Sequence, residues 1–281
     1  GWQVAEAPDT VRTPESIQSV ILSRVDRLPP DLRQLLQYAS VLGPVFRPRL
    51  LEHLGMDTER LRKGLAQLTE AGLVRVEKTL PEEEYAFKHA LTRETIYETI
   101  LRRTRKRLHA AVAETLESQY AGHLEDLYAE LGRHYSLGDE NGRAARYFVR
   151  AGQRAKRLFA NREAGKHFER ALRCLARLAP DEETRVLELE ALEGLGDVGF
   201  RLGAHHTAEV HFSQARDQVA PTRDPDRFAR LSWKLADAVH WQGEYRRAIE
   251  IAEQGLAAGA EGQSTPAAAC LLEVIMRSHW A

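Results

Sequence analysis

The chain contains few of the residues that would place it outside a reducing compartment or inside a membrane. It has only two cysteines, Cys174 and Cys270, in 281 residues, and they form no CxxC pair. This excludes a disulfide framework and predicts a reducing compartment, the cytoplasm. No apolar run approaches the roughly 18 residues that span a bilayer. The first residues, GWQVAEAPDTVRTPE, lack the basic and apolar segments of a signal peptide.

An excess of charge of either sign is also absent. The 40 Lys and Arg residues nearly balance the 41 Asp and Glu residues, and the net charge is −1. Such a balance provides no global attraction to nucleic acid or to a membrane surface. The composition is otherwise globular, with 43% hydrophobic and 29% charged residues, and the length suits about two domains.

Motifs for catalysis are missing as well. No GxxxxGK(S/T) segment occurs, so we expect no phosphate-binding loop and no ATP hydrolysis by this chain. No Ser, Cys or carboxylate stands in a pattern typical of a nucleophile–base set. His205, His206 and His211 lie near Glu209, but a metal site needs three or more converging ligands, and only His205 and Glu209 share a helical face. The sequence therefore predicts no catalytic residue, no metal site and no cofactor in this chain.

The first 90 residues contain helical segments followed by two short strands. Pro14 opens the first helical pattern, Pro29 and Pro30 separate it from the second, and Gly43 and Gly72 mark helix ends. The period then changes in LVRVE and YAF, which are joined by the turn-like TLPEEE, and this predicts a β-hairpin. Helices followed by a β-hairpin are the order of a winged helix. We therefore predict a winged-helix domain with an N-terminal segment over residues 1–90.

A long connecting helix is predicted next. Apolar residues recur at helical spacing from Thr92 to Tyr120, and we assign residues 91–122 to this helix. Its basic run, RRTRKRLH, includes Arg102, Arg103 and Arg105, so an alternative function is a DNA-binding transcriptional regulator that uses the winged helix directly. The acidic turn PEEE argues against this alternative, because carboxylates repel a phosphate backbone.

From residue 123 to residue 281 the chain is helical in pairs. The segment LYAELGRHYSLGDENGRAARYFVRAG places small and aromatic residues at the offsets of the tetratricopeptide pattern, in which small residues let two helices pack closely and aromatics fill the gap. Gly203 and Gly243 belong to two later segments that match the pattern less well. They lie 40 residues apart, whereas the standard repeat has a length of roughly 34 residues. We predict a mainly α protein that ends in a tetratricopeptide-like α-solenoid of at least three hairpins. The apolar pattern LLEVIMRSHW near the last residue predicts that the array continues in a longer protein.

One face of the predicted solenoid concentrates side chains that are suited to bind a partner. Alignment with the repeat pattern places this face in the concave groove, where two tryptophans beside Arg and Asp would anchor a protein or peptide. The alternative is that both tryptophans pack between helices. The candidates are Arg230, Trp233, Asp237, His240 and Trp241 on one helix and Glu193, Asp197, Phe200 and Arg201 on an earlier one.

Four phrases within residues 14–178 resemble a known family in their order. They are PESIQSVILSRVDRLP, LLQYASVLGPVF, YAFKHALTRETIYETI and RLHAAVAETLE. They resemble the region after the nucleotide-binding core of a STAND-type (AAA-like) signalling ATPase. The resemblance is closest to bacterial proteins that join this ATPase to tetratricopeptide repeats and often to an adenylate or guanylate cyclase or a LuxR-type DNA-binding domain. It implies a non-catalytic regulatory region that couples a partner signal to an upstream domain, which would bind ATP or ADP.

The resemblance also implies a role for one histidine. In related ATPases, the histidine of a Met-His-Asp motif at the end of this hairpin contacts the β-phosphate of ADP. His89 lies at that position, whereas Lys88 replaces Met and Ala90 replaces Asp. Imidazole N–H and lysine ammonium groups are both phosphate-compatible donors. The implied role is nucleotide sensing by His89 and Lys88 in the intact protein, and the alternative is a local hydrogen bond of His89 in the hairpin.

Overall fold

The computed structural model describes residues 13–79, 82–258 and 266–281. The chain divides into two compact units. One unit extends to Ala121 and includes Leu137–Asp139, and the other contains Gly122–Ser136 and Glu140–Ala281. Both units are built mainly from helices, so the prediction of a mainly α protein is confirmed. None of the described helices combines the length and the apolar character that crossing a membrane requires.

The first unit combines helices with a small antiparallel sheet. In chain order its elements are α1 (Thr13–Asp26), α2 (Pro30–Leu42), β1 (Val45–Phe46), α3 (Pro48–His53), α4 (Thr58–Glu70), β2 (Val74–Lys78), β3 (Glu84–Phe87), α5 (Ala90–Thr99) and α6 (Arg102–Gln119). The strand order is β1–β3–β2, with β3 in the centre. The strands β2 and β3 confirm the predicted hairpin. The strand β1, which pairs Val45 with Ala86 and Phe46 with Tyr85, was not predicted.

Local sequence signals set the ends of the helices in this unit. Pro30 occupies the first turn of α2, where its missing N–H costs no hydrogen bond. The Asp57 carboxylate accepts a hydrogen bond of 2.9 Å from the backbone N–H of Arg60 and so caps α4. Gly72 follows α4 with a φ of 67°, which a glycine adopts without strain. The side chains of Leu36, Leu51, Leu65, Leu68 and Ile96 are fully buried in the core.

The predicted single helix over residues 91–122 is wrong, because the chain leaves the helical conformation in the middle. Ile100 and Leu101 have ψ angles of 128° and 137°, which separate α5 from α6. Ile100 is buried, whereas Leu101 is 77% exposed. Neither Gly nor Pro marks the position, and helical periodicity alone does not reveal such a break.

Packing of both helices against α2 explains the break. Both α5 and α6, on either side of the break, contact α2. The Tyr97 hydroxyl of α5 lies 2.9 Å from Nε2 of His109 in α6. His109 is 1% exposed. A buried polar group such as the His109 imidazole needs a hydrogen-bond partner. The break between α5 and α6 brings the Tyr97 hydroxyl close enough to be that partner.

The second unit is a series of helix pairs joined by short turns. After a 3₁₀ turn (Leu124–Leu127) its helices are α7 (Tyr128–Leu137), α8 (Asn141–Arg157), α9 (Asn161–Leu175), α10 (Glu182–Arg201), α11 (His205–Asp217), α12 (Pro225–His240), α13 (Tyr245–Ala258) and α14 (Pro266–Trp280). The strongest contacts join α8 to α9, α10 to α11 and α12 to α13, and each pair also packs on the next. Contacts between neighbours in sequence define a helical solenoid. The predicted tetratricopeptide-like solenoid of at least three hairpins is confirmed.

Glycine–aromatic contacts bring the helices of this solenoid close together. A Cβ atom at Gly196 of α10 would lie 2.3 Å from the Phe212 ring of α11. Phe168 of α9 fits between Gly152 of α8 and Gly194 of α10, where added Cβ atoms would lie 2.6 Å and 2.4 Å from its ring. Both rings are almost completely buried. The predicted packing pattern is therefore confirmed: small residues allow two helices to approach closely, and aromatic side chains fill the space between them.

The turn between α8 and α9 holds an aromatic residue in a strained backbone conformation. Phe159 has a φ of 58° and a side chain that is 80% exposed. Its N–H donates to the carbonyl of Lys156, and Gly203 and Gly243 make the equivalent hydrogen bonds in later turns, also at positive φ. This left-handed conformation at the end of a helix normally selects glycine, and a residue with a Cβ costs about 1–2 kcal/mol there.

Replacing Phe159 by glycine will therefore raise the free energy of unfolding by about 1 kcal/mol, because glycine adopts this conformation without backbone strain. The gain is smaller than the full strain energy, since glycine has more conformational freedom in the unfolded chain. Urea unfolding followed by circular dichroism measures the change. The matched control is Phe159→Ala, which removes the same exposed ring but keeps the Cβ atom. We expect the control to stay within about 0.5 kcal/mol of the wild type. Equal stabilisation by both variants would show that the ring, and not the backbone, is responsible.

Candidate functional site

The first helices of successive pairs are joined by a ladder of ion pairs. Lys156 of α8 and Lys234 of α12 both contact the Asp197 carboxylate of α10, at 2.6 Å and 2.7 Å. Arg277 of α14 contacts Asp237 of α12 at 2.7 Å. The paired residues lie 37 to 41 positions apart in sequence. The helices α8, α10, α12 and α14 therefore share one surface, which we call the ladder face.

A cleft of about 280 Å³ opens on the ladder face between α10 and α12. Phe200 and Trp233 are half-buried in its walls, and both pack on the hydrophobic core that contains the buried ring of Phe212. The α10–α12 cleft thus presents aromatic surface within a charged rim. It is lined by Asp197, Phe200, Arg201, Phe212, Trp233, Lys234 and Asp237.

Lys234 organises the charges at this cleft. Its ammonium group lies 2.8 Å from Oε1 of Glu193 and 2.7 Å from Oδ1 of Asp197, and the three side chains are only 16–18% exposed. Burial alone would raise the pKa of both carboxyls, but the nearby Lys234 ammonium outweighs it and lowers the pKa of Glu193 and of Asp197 below their ordinary values. Both carboxylates are therefore ionised at neutral pH.

The structure brings together most of the residues predicted for a partner-binding groove. Five of the nine line the α10–α12 cleft, and Arg230 contacts Glu193 at 3.5 Å beside it. The five lining residues are Asp197, Phe200, Arg201, Trp233 and Asp237. The ladder face and its cleft also contain four residues that were not predicted as site residues, Lys156, Phe212, Lys234 and Arg277. Opposite charges about 40 positions apart were the signal that would have indicated three of these four.

The remaining two predicted groove residues, His240 and Trp241, lie at the end of α12 and do not line the cleft. Nδ1 of His240 lies 2.8 Å from the Ser278 hydroxyl, and burial lowers the pKa of His240. Trp241 is 58% exposed and stacks on His205, with ring centroids 6.0 Å apart. Trp233 is half-buried. The alternative prediction, that both tryptophans are packed between helices, is therefore wrong for Trp241.

His89 lies at the junction of β3 and α5, as predicted from the sequence. Its backbone is extended, with φ −135° and ψ 134°, and its carbonyl accepts the first hydrogen bonds of α5, from Thr92 and Arg93. The His89 side chain is exposed and makes no capping hydrogen bond to α5. The side chain of Lys88 is also exposed. Both side chains are therefore accessible at the end of the sheet.

The basic run of α6 does not form a uniform phosphate-binding surface. Arg102 and Arg103 are exposed, but the Arg105 guanidinium lies over the Tyr97 ring, 5.0 Å from its centroid. Glu84, which begins β3, adds a carboxylate at the hairpin. Direct DNA binding is therefore not favoured.

The three histidines of α11 have separate surroundings. His205 stacks on Trp241, and Nδ1 of His206 lies 3.5 Å from Glu209. His211 is half-buried, and burial lowers its pKa. Across residues 13–79, 82–258 and 266–281, no three His, Cys, Asp or Glu side chains are placed to hold a metal ion.

Comparison with known proteins gives one relative in sequence. No family model matches the chain. An uncharacterized protein of Rhizobium meliloti (strain 1021) is 26% identical over 201 residues, which are 68% of this chain and 19% of that protein. The chain thus spans about a fifth of the length of the curated relative that it matches.

The comparison with solved structures found similarity to several proteins, including the following three. BtubC from P. vanneervenii is 15% identical, with a TM-score of 0.46 over 64% of this chain and 73% of that one. Aspartyl phosphate phosphatase F from Bacillus subtilis is 14% identical, with a TM-score of 0.43 over 95% and 64% of the two chains. A STAND protein with a tetratricopeptide repeat sensor from Pyrococcus horikoshii is 14% identical, with a TM-score of 0.35 over 98% and 44%. These likenesses assign no function to the chain.

Proposed function

We propose that this chain is a non-catalytic regulatory and protein-interaction region of a STAND-type signalling ATPase. In this proposal the solenoid binds a protein or peptide partner, and the first unit couples that binding to a nucleotide-binding domain elsewhere in a longer, cytoplasmic protein. ATP or ADP belongs to that domain, because this chain has no GxxxxGK(S/T) segment to cradle phosphates.

The observation that carries the proposal is the α10–α12 cleft. Phe200 and Trp233 keep part of their aromatic surface accessible there, although both have core contacts that hold them in place. Arg201 stands beside them. Trp and Arg side chains in a concave site are among the residues that most often dominate the free energy of protein association. This combination supports a binding function for the ladder face.

The first unit supports the coupling part of the proposal. Its helices and the sheet order β1–β3–β2 fit a winged helix within residues 1–90. The exposed imidazole of His89 at the end of β3 is free to meet a phosphate group. In the proposal, α5 and α6 within residues 91–122 join this winged helix to the solenoid of residues 123–281.

Replacing His89 by alanine in the longer natural protein will speed the loss of bound ADP by at least about tenfold, because a hydrogen bond to a charged group contributes about 1.5–3 kcal/mol. The ADP content after purification and the rate of ADP release measure this effect. His53→Ala is the matched control, since His53 is also an exposed histidine of the first unit. An unchanged release rate for His89→Ala would count against the coupling role, and ATP turnover by the chain alone would contradict a non-catalytic region.

A further inference from the structure

The charged network around the α10–α12 cleft carries more cations than carboxylates. Each member either lines the cleft or is linked to a lining residue through ion pairs. Six cations face four carboxylates, so the site has an excess of two positive charges. The cations are Lys156, Arg201, Arg227, Arg230, Lys234 and Arg277, and the carboxylates are Glu193, Asp197, Asp237 and Glu273.

Arg201 is the cation best placed to meet an incoming group. Its guanidinium donates one hydrogen bond of 3.2 Å to the backbone carbonyl of Lys156, and its side chain is exposed. Lys234 and Arg277 are already held by the carboxylates of Asp197 and Asp237. Among the described residues, none offers Arg201 a carboxylate within ion-pair distance. A guanidinium with free N–H groups beside the cleft can bind a carboxylate through two parallel hydrogen bonds, in a bidentate geometry.

The size of the cleft indicates what accompanies that carboxylate. Its volume of about 280 Å³ is just below the range of about 300–1,000 Å³ that is typical of sites enclosing a whole small molecule. The accessible surface of Phe200 and Trp233 is apolar and aromatic. A single large apolar side chain fits such walls, while the rest of its chain stays on the ladder face.

We propose that the partner of the ladder face is an acidic peptide segment, in which a large apolar side chain enters the α10–α12 cleft and an adjacent carboxylate binds Arg201. The excess positive charge attracts such a segment and repels a basic one. This inference rests on the proposed interaction function and adds the chemistry of the partner to it.

Selection from a phage-displayed library of random peptides against the whole chain tests the proposal. We expect the enriched peptides to combine Asp or Glu with Phe, Trp, Leu or Met. The best peptide, labelled with fluorescein and titrated by anisotropy, should bind at least about tenfold more weakly to Arg201→Glu and to Trp233→Leu. Its Kd should also rise with NaCl, because salt screens exposed charges.

Arg162→Glu supplies the matched control. Arg162 is an exposed arginine of α9, which does not line the cleft, and its replacement makes the same change in net charge. It should alter the Kd by less than about twofold. Thermal melts confirm that each variant is folded, and Arg201→Glu remains informative if Trp233→Leu is unstable, because the Arg201 side chain is exposed.

The outcomes separate this inference from the broader function. Enriched peptides that are basic or uncharged, but that lose binding in Trp233→Leu, would overturn the acidic partner and leave the interaction function intact. Acidic peptides that bind Arg201→Glu as tightly as the wild type would also overturn it. A selection that enriches no peptide would remove the support for an interaction function itself.

Discussion

Replacing Gly196 by alanine will lower the free energy of unfolding by about 2 kcal/mol. The new Cβ atom would lie 2.3 Å from the Phe212 ring, which is 1% exposed. Overpacking of this kind costs about 1–3 kcal/mol, and so close a contact lies at the upper end. The higher helix propensity of alanine returns about 0.5–1 kcal/mol of that cost.

Gly165→Ala provides the control for this prediction, since Gly165 is also a buried glycine inside a helix. Its added Cβ atom would meet only Cγ1 of Val198, at the ordinary contact distance of 3.5 Å. We expect this variant to be as stable as the wild type or more stable by up to about 1 kcal/mol. Urea unfolding followed by circular dichroism compares the two. A loss of the same size in both variants would show that helix geometry, and not the Phe212 contact, determines the result.

The solenoid was predictable because its contacts repeat at a fixed offset in the sequence. Phe212 follows Gly196 by 16 residues, as Phe168 follows Gly152, and each such pair joins two helices across one turn. Turns and caps also carry local signals, as Asp57 does at the start of α4. Such features depend on residues close in sequence, and a pattern of apolar and small residues reports them directly.

The break between α5 and α6 and the strand β1 depend on packing that no local pattern records. Ile100 becomes extended although its neighbours have helical periodicity, because both helices pack on α2. The strand β1 has only two residues, Val45 and Phe46, and its pairing with β3 defines it. Propensity is a weak guide where tertiary contacts decide the conformation.

The candidate site also combines residues that a local pattern predicts with residues that only tertiary packing brings together. Phe200 and Trp233 were predicted because each lies on a face of one helix that periodicity defines. Lys234 was missed because its partners, Glu193 and Asp197, belong to another helix, and only the stacking of the pairs brings them within 2.8 Å. Trp241 was assigned to the same face as Trp233, but α12 ends at His240. A face predicted from helical spacing stops where the helix stops.

Replacing Lys234 by methionine will lower the free energy of unfolding by about 3 kcal/mol at neutral pH. Methionine keeps most of the aliphatic stem and removes the charge. Glu193, which is 16% exposed, then loses its nearest cation, and Asp197, which is 18% exposed, loses one of its two close cations. Removing one partner of a buried ion pair costs about 3–5 kcal/mol. Lys156 and Arg230 still face these carboxylates, which keeps the loss at the lower end of that range.

Lys166→Met is the matched control for this substitution. Lys166 is 63% exposed and lies 3.5 Å from Glu163, which is 52% exposed. Exposed ion pairs of this kind contribute about 0–1 kcal/mol, and pairs one helical turn apart about 0.3–0.5 kcal/mol. The control should therefore lose no more than about 0.5 kcal/mol, and a similar loss in both variants would mean that the position of Lys234 has no special role.

The pH dependence identifies charge as the cause of the loss in Lys234→Met. The pKa values of Glu193 and Asp197 lie below their ordinary values of 4.5 and 3.8 in the folded protein. Their contribution to stability is therefore complete above about pH 5 and is lost as the pH falls through the lowered folded pKa values. Lys234→Met lacks the ion pairs that provide this contribution. Its deficit in the free energy of unfolding relative to the wild type should therefore be about 3 kcal/mol at neutral pH and should shrink steadily as the pH falls below about 5. Urea unfolding at a series of pH values measures this convergence. A deficit that is constant with pH would instead identify lost packing of the lysine stem.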